Sequence, residues 1–176
     1  PEDMFLEDEK SEPMYFHGWA HVKDLNSETA QNLYPQDSAY SHKGLHIDLY
    51  KLPVLKESEM WNYIDNEFER YINKRREKGL LSDEDYQVRL DKLANDRKEH
   101  ASFKGDPDKT IYLFLTEHIY IEEHEVFPLK RYKFEDSEFL AFNDADKTLT
   151  LLYGDYMTPP PEGKRDTIHS EVYIIQ

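Results

Sequence analysis

The sequence contains no cysteine, and this absence excludes both disulfide bridges and zinc sites built from thiolates. No apolar run approaches the roughly 20 residues that a membrane-spanning helix needs, and no signal-peptide pattern opens the chain. Basic residues are few: 22 Lys and Arg face 37 Asp and Glu, so the formal net charge is −15. This balance argues against binding to nucleic acid or to anionic lipid. We therefore expect a soluble cytoplasmic protein, at most peripheral to the inner face of a membrane.

A length of 176 residues suits a single domain over residues 1–176. Hydrophobic residues make up only 38%, but 13 Tyr, 9 Phe and 2 Trp supply a large buried area per residue. We therefore expect a folded chain rather than a disordered one. The sequence begins at Pro1 in an acidic segment, and we interpret it as an excised or processed piece of a longer chain.

Helical periodicity is clearest within residues 55–102. Apolar residues recur at helical spacing between Met60 and Ile72, and Gly79 is typical of a helix end. Ser82 predicts the start of a second helix, because the three acidic residues after it favour the positive end of the helix dipole. The segment is therefore predicted to form an αα-hairpin.

Extended structure is predicted for much of the remaining chain. Residues 1–12 are expected to form a solvated acidic lead-in, and residues 15–23 an aromatic strand. Residues 126–142 alternate in character about a polar turn and predict a β-hairpin. The run Ile111–Leu115 fits either a strand or a buried helix.

The C-terminal region, residues 143–176, is predicted to contain one helix and a proline-rich extended tail. Asn143 is the expected N-cap of this helix, and Gly154 is its expected end. Together these elements predict an α+β fold with an αα-hairpin inserted into a mixed sheet.

The segment Gly44–Pro53 is the strand with the clearest functional pattern. Its odd-numbered positions are apolar up to Leu49, whereas His46, Asp48 and Tyr50 share the other face. A partly desolvated carboxylate on a strand needs a cation beside it, such as a metal ion or a Lys or Arg side chain. A solvated edge position for Asp48 is the alternative.

Histidines occur in two pairs spaced four residues apart, His17 with His21 and His42 with His46. On a helix this spacing brings two zinc ligands together. Both pairs fall in extended or loop segments, where residues four apart do not converge on one ion. We therefore interpret these histidines as interface or solvated residues.

Two short basic segments, Lys130–Lys133 and Lys164–Arg165, stand out in this acidic chain. They are either phosphate contacts or solvated faces that balance the acidic surface. Arg165 is the better candidate for a phosphate contact, because the proline run at residues 159–161 stiffens the chain beside it.

Four segments together resemble the LicD family, whose best-known members transfer phosphocholine to bacterial cell-surface glycans. In chain order they are His21–Thr29, Gly44–Pro53, Val126–Glu135 and Leu152–His169. The third reads VFPLKRYKFE, and the fourth contains LYGDYM, a proline pair and Lys164-Arg165 before its final histidine.

This resemblance implies a nucleotidyltransferase-like α+β fold and a transfer of phosphocholine, or a related phospho-alcohol, from CDP-choline or a similar CDP-alcohol. The implied acceptor is a cell-surface glycan, a lipid-linked oligosaccharide or a teichoic acid precursor, and the implied cofactor is Mg²⁺ or Mn²⁺. Asp48 matches a metal-binding carboxylate and is the implied catalytic residue. The implied substrate-binding residues are Lys23, Tyr153, Asp155, Arg165 and His169.

The family's Asp-x-Asp motif is expected before Tyr15, and this sequence does not contain it. We expect residues upstream of Pro1 to supply that motif and the first strand or strands of the sheet. The competing interpretation is a catalytically inactive, acidic protein-interaction module derived from the same fold. A metal-free sugar-binding domain is a third interpretation, based on the aromatic content alone.

Overall fold

The computed structural model describes residues 2–29, 40–164 and 172–174. These residues form a mixed α+β structure with four α-helices and four small sheets, which confirms the predicted fold class. The chain divides into two compact units: residues 1–51, 67–95 and 165–176 form the first, and residues 52–66 and 96–164 form the second. The single-domain assignment and the nucleotidyltransferase-like topology stay predictions.

The first unit contains a three-stranded sheet in the order β1-β2-β4. Its strands are β1 (Met4–Glu7), β2 (Ala20–Asp24) and β4 (His46–Leu49), and both pairings are antiparallel. A second antiparallel pair joins β3 (Ser27–Thr29) to β10 (Val172–Ile174). All strand pairs among the described residues are antiparallel, so the predicted mixed sheet is not found in this part of the chain.

The acidic lead-in is not a solvated arm, and that prediction is wrong. Its residues 4–7 form an edge strand paired with β2, and the Glu7 side chain has no solvent exposure. The acidic composition misleads here because the Glu7 carboxylate is paired with the Lys23 ammonium and hydrogen-bonded to His21, both in β2. The aromatic stretch before β2 also differs from prediction: Tyr15 and Phe16 are buried and pack with Tyr40 rather than extending the strand.

Strand β4 lies beside β2 because Gly44 allows a very close backbone approach. A Cβ atom at Gly44 would lie 1.8 Å from the carbonyl oxygen of Asp24, at the end of β2. The predicted alternation in β4 is confirmed by the register, but its apolar face is not buried, since Ile47 is 70% exposed and Leu49 47% exposed. The sheet therefore carries its polar side chains on the more enclosed face.

The predicted αα-hairpin is confirmed as α1 (Met60–Glu77) and α2 (Asp83–His100). Gly79 ends the first helix with a φ of +71°, and Ser82 caps the second by accepting the backbone N–H of Asp85 at 3.0 Å. Within the first unit the two helices share a cluster of buried residues: Ile72, Leu81 and Leu93.

The second unit is organised around an antiparallel sheet in the order β5-β6-β7. Its strands are β5 (Val54–Lys56), β6 (Thr110–Phe114) and β7 (Ile119–Glu122), which resolves the ambiguous run as a strand. The buried core of this unit consists of Met60, Ile64, Ile111 and Leu113.

The rest of the second unit comprises α3 (Glu123–Val126), the hairpin β8 (Lys130–Phe134) with β9 (Ser137–Ala141), and α4 (Ala145–Tyr153). The hairpin is shorter than predicted: Val126 is the last residue of α3, and the first strand begins only at Lys130. Helix α4 ends at Gly154 as predicted, but its N-cap is Asp144, which accepts the backbone N–H of Lys147 at 3.0 Å. None of the described helices combines the length and apolar character that crossing a bilayer requires.

Candidate functional site

Five polar side chains from three strands lie on one face of the β1-β2-β4 sheet. Glu7 lies opposite His21, and His21 lies opposite Asp48. Lys23 and His46 form the neighbouring pair of the same register. Directly opposed residues share a face, as do residues two apart along a strand, so strand pairing alone gathers these groups.

The closest groups at this face are His21, His46 and Asp48. His21 Nε2 lies 3.3 Å from Asp48 Oδ1, and His46 Nε2 lies 3.6 Å from the same oxygen. One potential ligand atom from each residue lies within 4.8 Å of the other two. The His21 side chain is buried, whereas those of His46 and Asp48 are 38% and 35% exposed. The cluster is therefore open to solvent on its β4 side.

Glu7 lies behind this cluster and pairs with two residues of β2. Its Oε2 lies 2.8 Å from His21 Nδ1, and its Oε1 lies 2.7 Å from Lys23 Nζ. Burial alone raises the pKa of the Glu7 carboxyl, but the hydrogen bonds from His21 and Lys23 outweigh this effect and hold the pKa below its ordinary value. Glu7 is therefore a carboxylate at neutral pH.

The hydrogen bonds of His21 fix which ring nitrogen carries its proton. Trp19 Nε1 donates to His21 Nε2 at 3.1 Å, so Nε2 acts as an acceptor. Nδ1 then carries the proton and donates it to Glu7. His21 Nε2 therefore carries no proton of its own, and it lies 3.3 Å from Asp48 Oδ1.

Two further histidines extend the imidazole cluster. The ring of His17 lies 5.2 Å from that of His21, and burial lowers the pKa of His17 to about 4. Burial also lowers the pKa of His46. Both rings are therefore neutral at pH 7 and offer nitrogen lone pairs.

An aromatic pair borders the Asp48 carboxylate. The rings of Trp19 and Tyr50 stack with centroids 5.1 Å apart and an interplanar angle of 28°. The Tyr50 hydroxyl donates to Asp48 Oδ2 at 3.1 Å, and Tyr50 is 58% exposed. An aromatic surface therefore lies directly beside a negative charge.

The structure places the predicted site residues in different parts of the chain. Asp48 and Lys23 lie on the same sheet face, but Lys23 is buried and donates from Nζ to the His42 carbonyl at 2.7 Å as well as pairing with Glu7. Its contact with a donor phosphate stays a prediction. Tyr153, which is 71% exposed, is the last residue of α4, and Asp155 lies just beyond the Gly154 cap, both in the second unit. Arg165 and His169 lie outside the described residues.

The interpretation of the paired histidines as interface or solvated residues is wrong for His17 and His21, which are both buried at 6% exposure. The sequence indicated two pairs spaced by four, but the structure joins one member of each pair, His21 and His46, across two strands. The sequence contained one usable signal for this cluster: His46 and Asp48 are two residues apart in one strand and therefore share a face of the sheet. The pairing partner of that strand was not visible in the sequence.

This donor set does not fit the Mg²⁺ ion implied by the resemblance. Mg²⁺ prefers octahedral oxygen ligands, whereas two of the three side chains that converge here are imidazoles. The second oxygen of Asp48 is occupied by the Tyr50 hydroxyl. We therefore assign no reaction step to Mg²⁺ at this cluster.

Comparison with known proteins finds no family model, no curated protein and no solved structure that matches this chain. The likeness to the LicD family accordingly stays a resemblance of four segments. The functional assignment rests on those segments together with the geometry of the sheet face.

Proposed function

We propose that this protein is a LicD-type transferase with a nucleotidyltransferase-like fold. It moves phosphocholine, or a related phospho-alcohol, from a CDP-activated donor to a hydroxyl group of a cell-surface glycan or teichoic acid precursor. The observation that carries the proposal is the convergence of Asp48 with His21 and His46 on a solvent-open sheet face. Two of the four segments that resemble the family supply all three side chains, and β2 and β4 hold those segments side by side.

The transfer is a substitution at phosphorus. The acceptor hydroxyl oxygen forms a bond to the phosphorus that carries choline, the bond from that phosphorus to the bridging oxygen breaks, and CMP leaves while the hydroxyl proton passes to solvent. Asp48 accepts a hydrogen bond from the acceptor hydroxyl and directs its oxygen toward the phosphorus. The hydrogen bond from Tyr50 keeps the Asp48 carboxylate in one orientation for this task.

The aromatic pair supports choline as the transferred alcohol. A quaternary ammonium is attracted to aromatic faces, a contribution of about 0.5–2 kcal/mol. Tyr50 is exposed and lies within hydrogen-bond distance of Asp48, so the choline head can contact both the ring and a carboxylate. A neutral alcohol such as glycerol gains neither the cation–π contact with the ring nor the charge attraction to the carboxylate.

The donor diphosphate needs cationic or hydrogen-bonding groups. Arg165 is the candidate that we retain for this role. The resemblance also suggests Tyr153, Asp155 and His169 as substrate-binding residues, without assigning them to the diphosphate. Lys23 contributes only if its ammonium exchanges Glu7 for a phosphate oxygen, because the two groups are 2.7 Å apart.

Phosphorus NMR tests the reaction directly. The natural protein is incubated with CDP-choline and an acceptor glycan. The proposal predicts loss of the diphosphate signals, one CMP per turnover and a new phosphodiester signal on the glycan. Unchanged CDP-choline contradicts the proposal, and so does the formation of free phosphocholine in place of the phosphodiester, which would indicate a hydrolase.

An acidic protein-interaction module is the second candidate, and one observation favours it. On the face of the sheet opposite the cluster, Leu6 is 51% exposed, Ile47 is 70% exposed and Leu49 is 47% exposed. An uncovered apolar face suits association with another surface. Absence of turnover in the experiment above would leave this candidate as the better account.

A further inference from the structure

We infer that His21, His46 and Asp48 bind a divalent transition-metal ion of the zinc class through two imidazole nitrogens and one carboxylate oxygen. Metal binding at this cluster does not depend on whether the protein uses CDP-choline, so it goes beyond the proposed transfer reaction. Four features of the cluster favour a bound ion.

The spacing of the ligand atoms suits a tetrahedral ion. Bonds of about 2.0–2.1 Å at tetrahedral angles place neighbouring ligand atoms about 3.3 Å apart. Asp48 Oδ1 lies 3.3 Å from His21 Nε2 and 3.6 Å from His46 Nε2. A zinc-sized ion therefore requires shifts of only a few tenths of an ångström at these two contacts.

The electrostatics of the cluster also favour a cation. His21 donates its Nδ1 proton to Glu7, so the Nε2 lone pair and the Asp48 carboxylate oxygen are two electron-rich atoms 3.3 Å apart. Such atoms repel one another across a partly buried gap. A metal ion between them converts this repulsion into two ligand bonds.

Both kinds of ligand are held by a second hydrogen-bond partner. Glu7 receives the Nδ1–H of His21, an arrangement in which a carboxylate fixes the tautomer and the orientation of a metal-binding imidazole. Tyr50 donates to Asp48 Oδ2 and leaves Oδ1 directed toward the two imidazoles. His21 and Asp48 are therefore held in place before any ion arrives.

The donor atoms identify the class of metal. Imidazole nitrogen suits zinc and its neighbours in the first transition series, whereas Mg²⁺ and Ca²⁺ select oxygen ligands. Three protein ligands leave a fourth position open, on the side where His46 and Asp48 reach solvent. Zinc sites with three protein ligands and an open position are those that bind water or substrate.

Tryptophan fluorescence provides a direct readout of metal binding. Trp19 donates to His21 Nε2, the atom that the ion must bind, so metal binding breaks this hydrogen bond. The chain has two tryptophans, and Trp61 stacks on His100 in the second unit. A Trp61→Phe background therefore assigns the fluorescence signal to Trp19.

The experiment titrates the protein with Zn²⁺ and with Mg²⁺, by calorimetry and by Trp19 fluorescence. We expect one zinc ion to bind with micromolar or tighter affinity and to stay bound in millimolar Mg²⁺. His46→Ala, at a partly exposed position, should weaken zinc binding at least about 10-fold, and Glu7→Gln should weaken it about 10–100-fold. The matched control is His124→Ala, whose side chain is 75% exposed in the second unit and which should bind zinc like the wild type.

Equal zinc affinity of His46→Ala and His124→Ala overturns the inference, as does displacement of zinc by millimolar Mg²⁺ or an unchanged Trp19 signal. These failures differ from failure of the proposed function. Zinc binding without phosphocholine transfer removes only the transferase proposal, and transfer without zinc binding removes only this inference.

Discussion

His21 Nε2 and Asp48 Oδ1 lie 3.3 Å apart across the pairing of β2 and β4. His21 is held from behind by the buried carboxylate of Glu7, and Asp48 is held by the hydroxyl of Tyr50. The site is therefore built where strands pair, with each of three strands contributing part of it. Changes to any of these strands should affect the site in predictable ways.

Removal of the aromatic ring at Tyr50 should weaken binding of choline donors selectively. Tyr50→Leu removes a cation–π contact of about 0.5–2 kcal/mol, which corresponds to roughly 2–30-fold in affinity for CDP-choline. CDP-glycerol, whose alcohol is neutral, is the matched ligand and should bind both proteins equally. Calorimetric titration measures both constants, and an equal loss for the two donors would show that Tyr50 does not contact the choline.

Glu7 should be essential for stability because it neutralises the buried Lys23. Glu7 is 0% exposed and Lys23 is 6% exposed. The substitution Glu7→Gln therefore leaves the Lys23 ammonium without its counter-ion. Breaking a buried ion pair from one side costs roughly 3–5 kcal/mol. Urea unfolding measures this loss, and Glu9→Gln is the control, since the exposed Glu9 pairs with Arg70 and Lys74 and should cost roughly 0–1 kcal/mol. Equal stability of the two variants would contradict the structure of the Glu7 site.

Stability in acid should depend on Glu125. Burial raises the pKa of its carboxyl, but hydrogen bonds from the Lys147 side chain and the Glu122 backbone outweigh burial, so the pKa lies below its unfolded value of 4.5. A folded-state pKa below the unfolded one adds stability that is complete above about pH 4.5 and is lost as the pH falls through the folded value.

The stability difference between wild type and Glu125→Gln should therefore shrink as the pH falls below 4.5. Urea unfolding at a series of pH values measures this difference. Glu123→Gln, at an exposed position of the same helix α3, should show no such dependence. A difference that stays constant with pH would contradict the assignment.

Gly44 should tolerate no side chain. An added Cβ would lie 1.8 Å from the Asp24 carbonyl oxygen, so Gly44→Ala must push β4 away from β2. Forcing atoms into such a contact costs about 1–3 kcal/mol, and the same displacement separates His21 from Asp48. We expect lower stability together with weaker zinc binding. Gly18→Ala is the control, because a Cβ at Gly18 meets no atom within 4 Å.

Local sequence signals predicted the helical parts of the fold well. The αα-hairpin follows from apolar periodicity, Gly79 and the Ser82 cap, all of which act within a few residues. The end of α4 at Gly154 was predicted for the same reason, whereas its start at Asp144 rather than Asn143 was one residue off. Two adjacent residues with equal capping ability are not distinguished by local preference.

The candidate site could be predicted only in part, because it depends on long-range pairing. The equal parity of His46, Asp48 and Tyr50 is a local property of β4, and the structure agrees with it. Glu7 and His21 join these residues because β1 and β4 both pair with β2. Residue spacing in the sequence does not reveal which strands pair. The acidic composition of residues 1–12 suggested solvation, whereas burial of Glu7 depends on partners in β2.

The variant Asp48→Asn, in which one carboxylate oxygen becomes an amide nitrogen, tests whether the cluster around Asp48 is the functional site. In the full natural protein, CMP release from CDP-choline in the presence of acceptor glycan is compared among wild type, Asp48→Asn and Asp91→Asn, an exposed aspartate on α2. We expect Asp48→Asn to lose turnover while keeping its fold, and Asp91→Asn to match the wild type. Near-normal CMP release by Asp48→Asn would contradict the assignment of this cluster as the functional site.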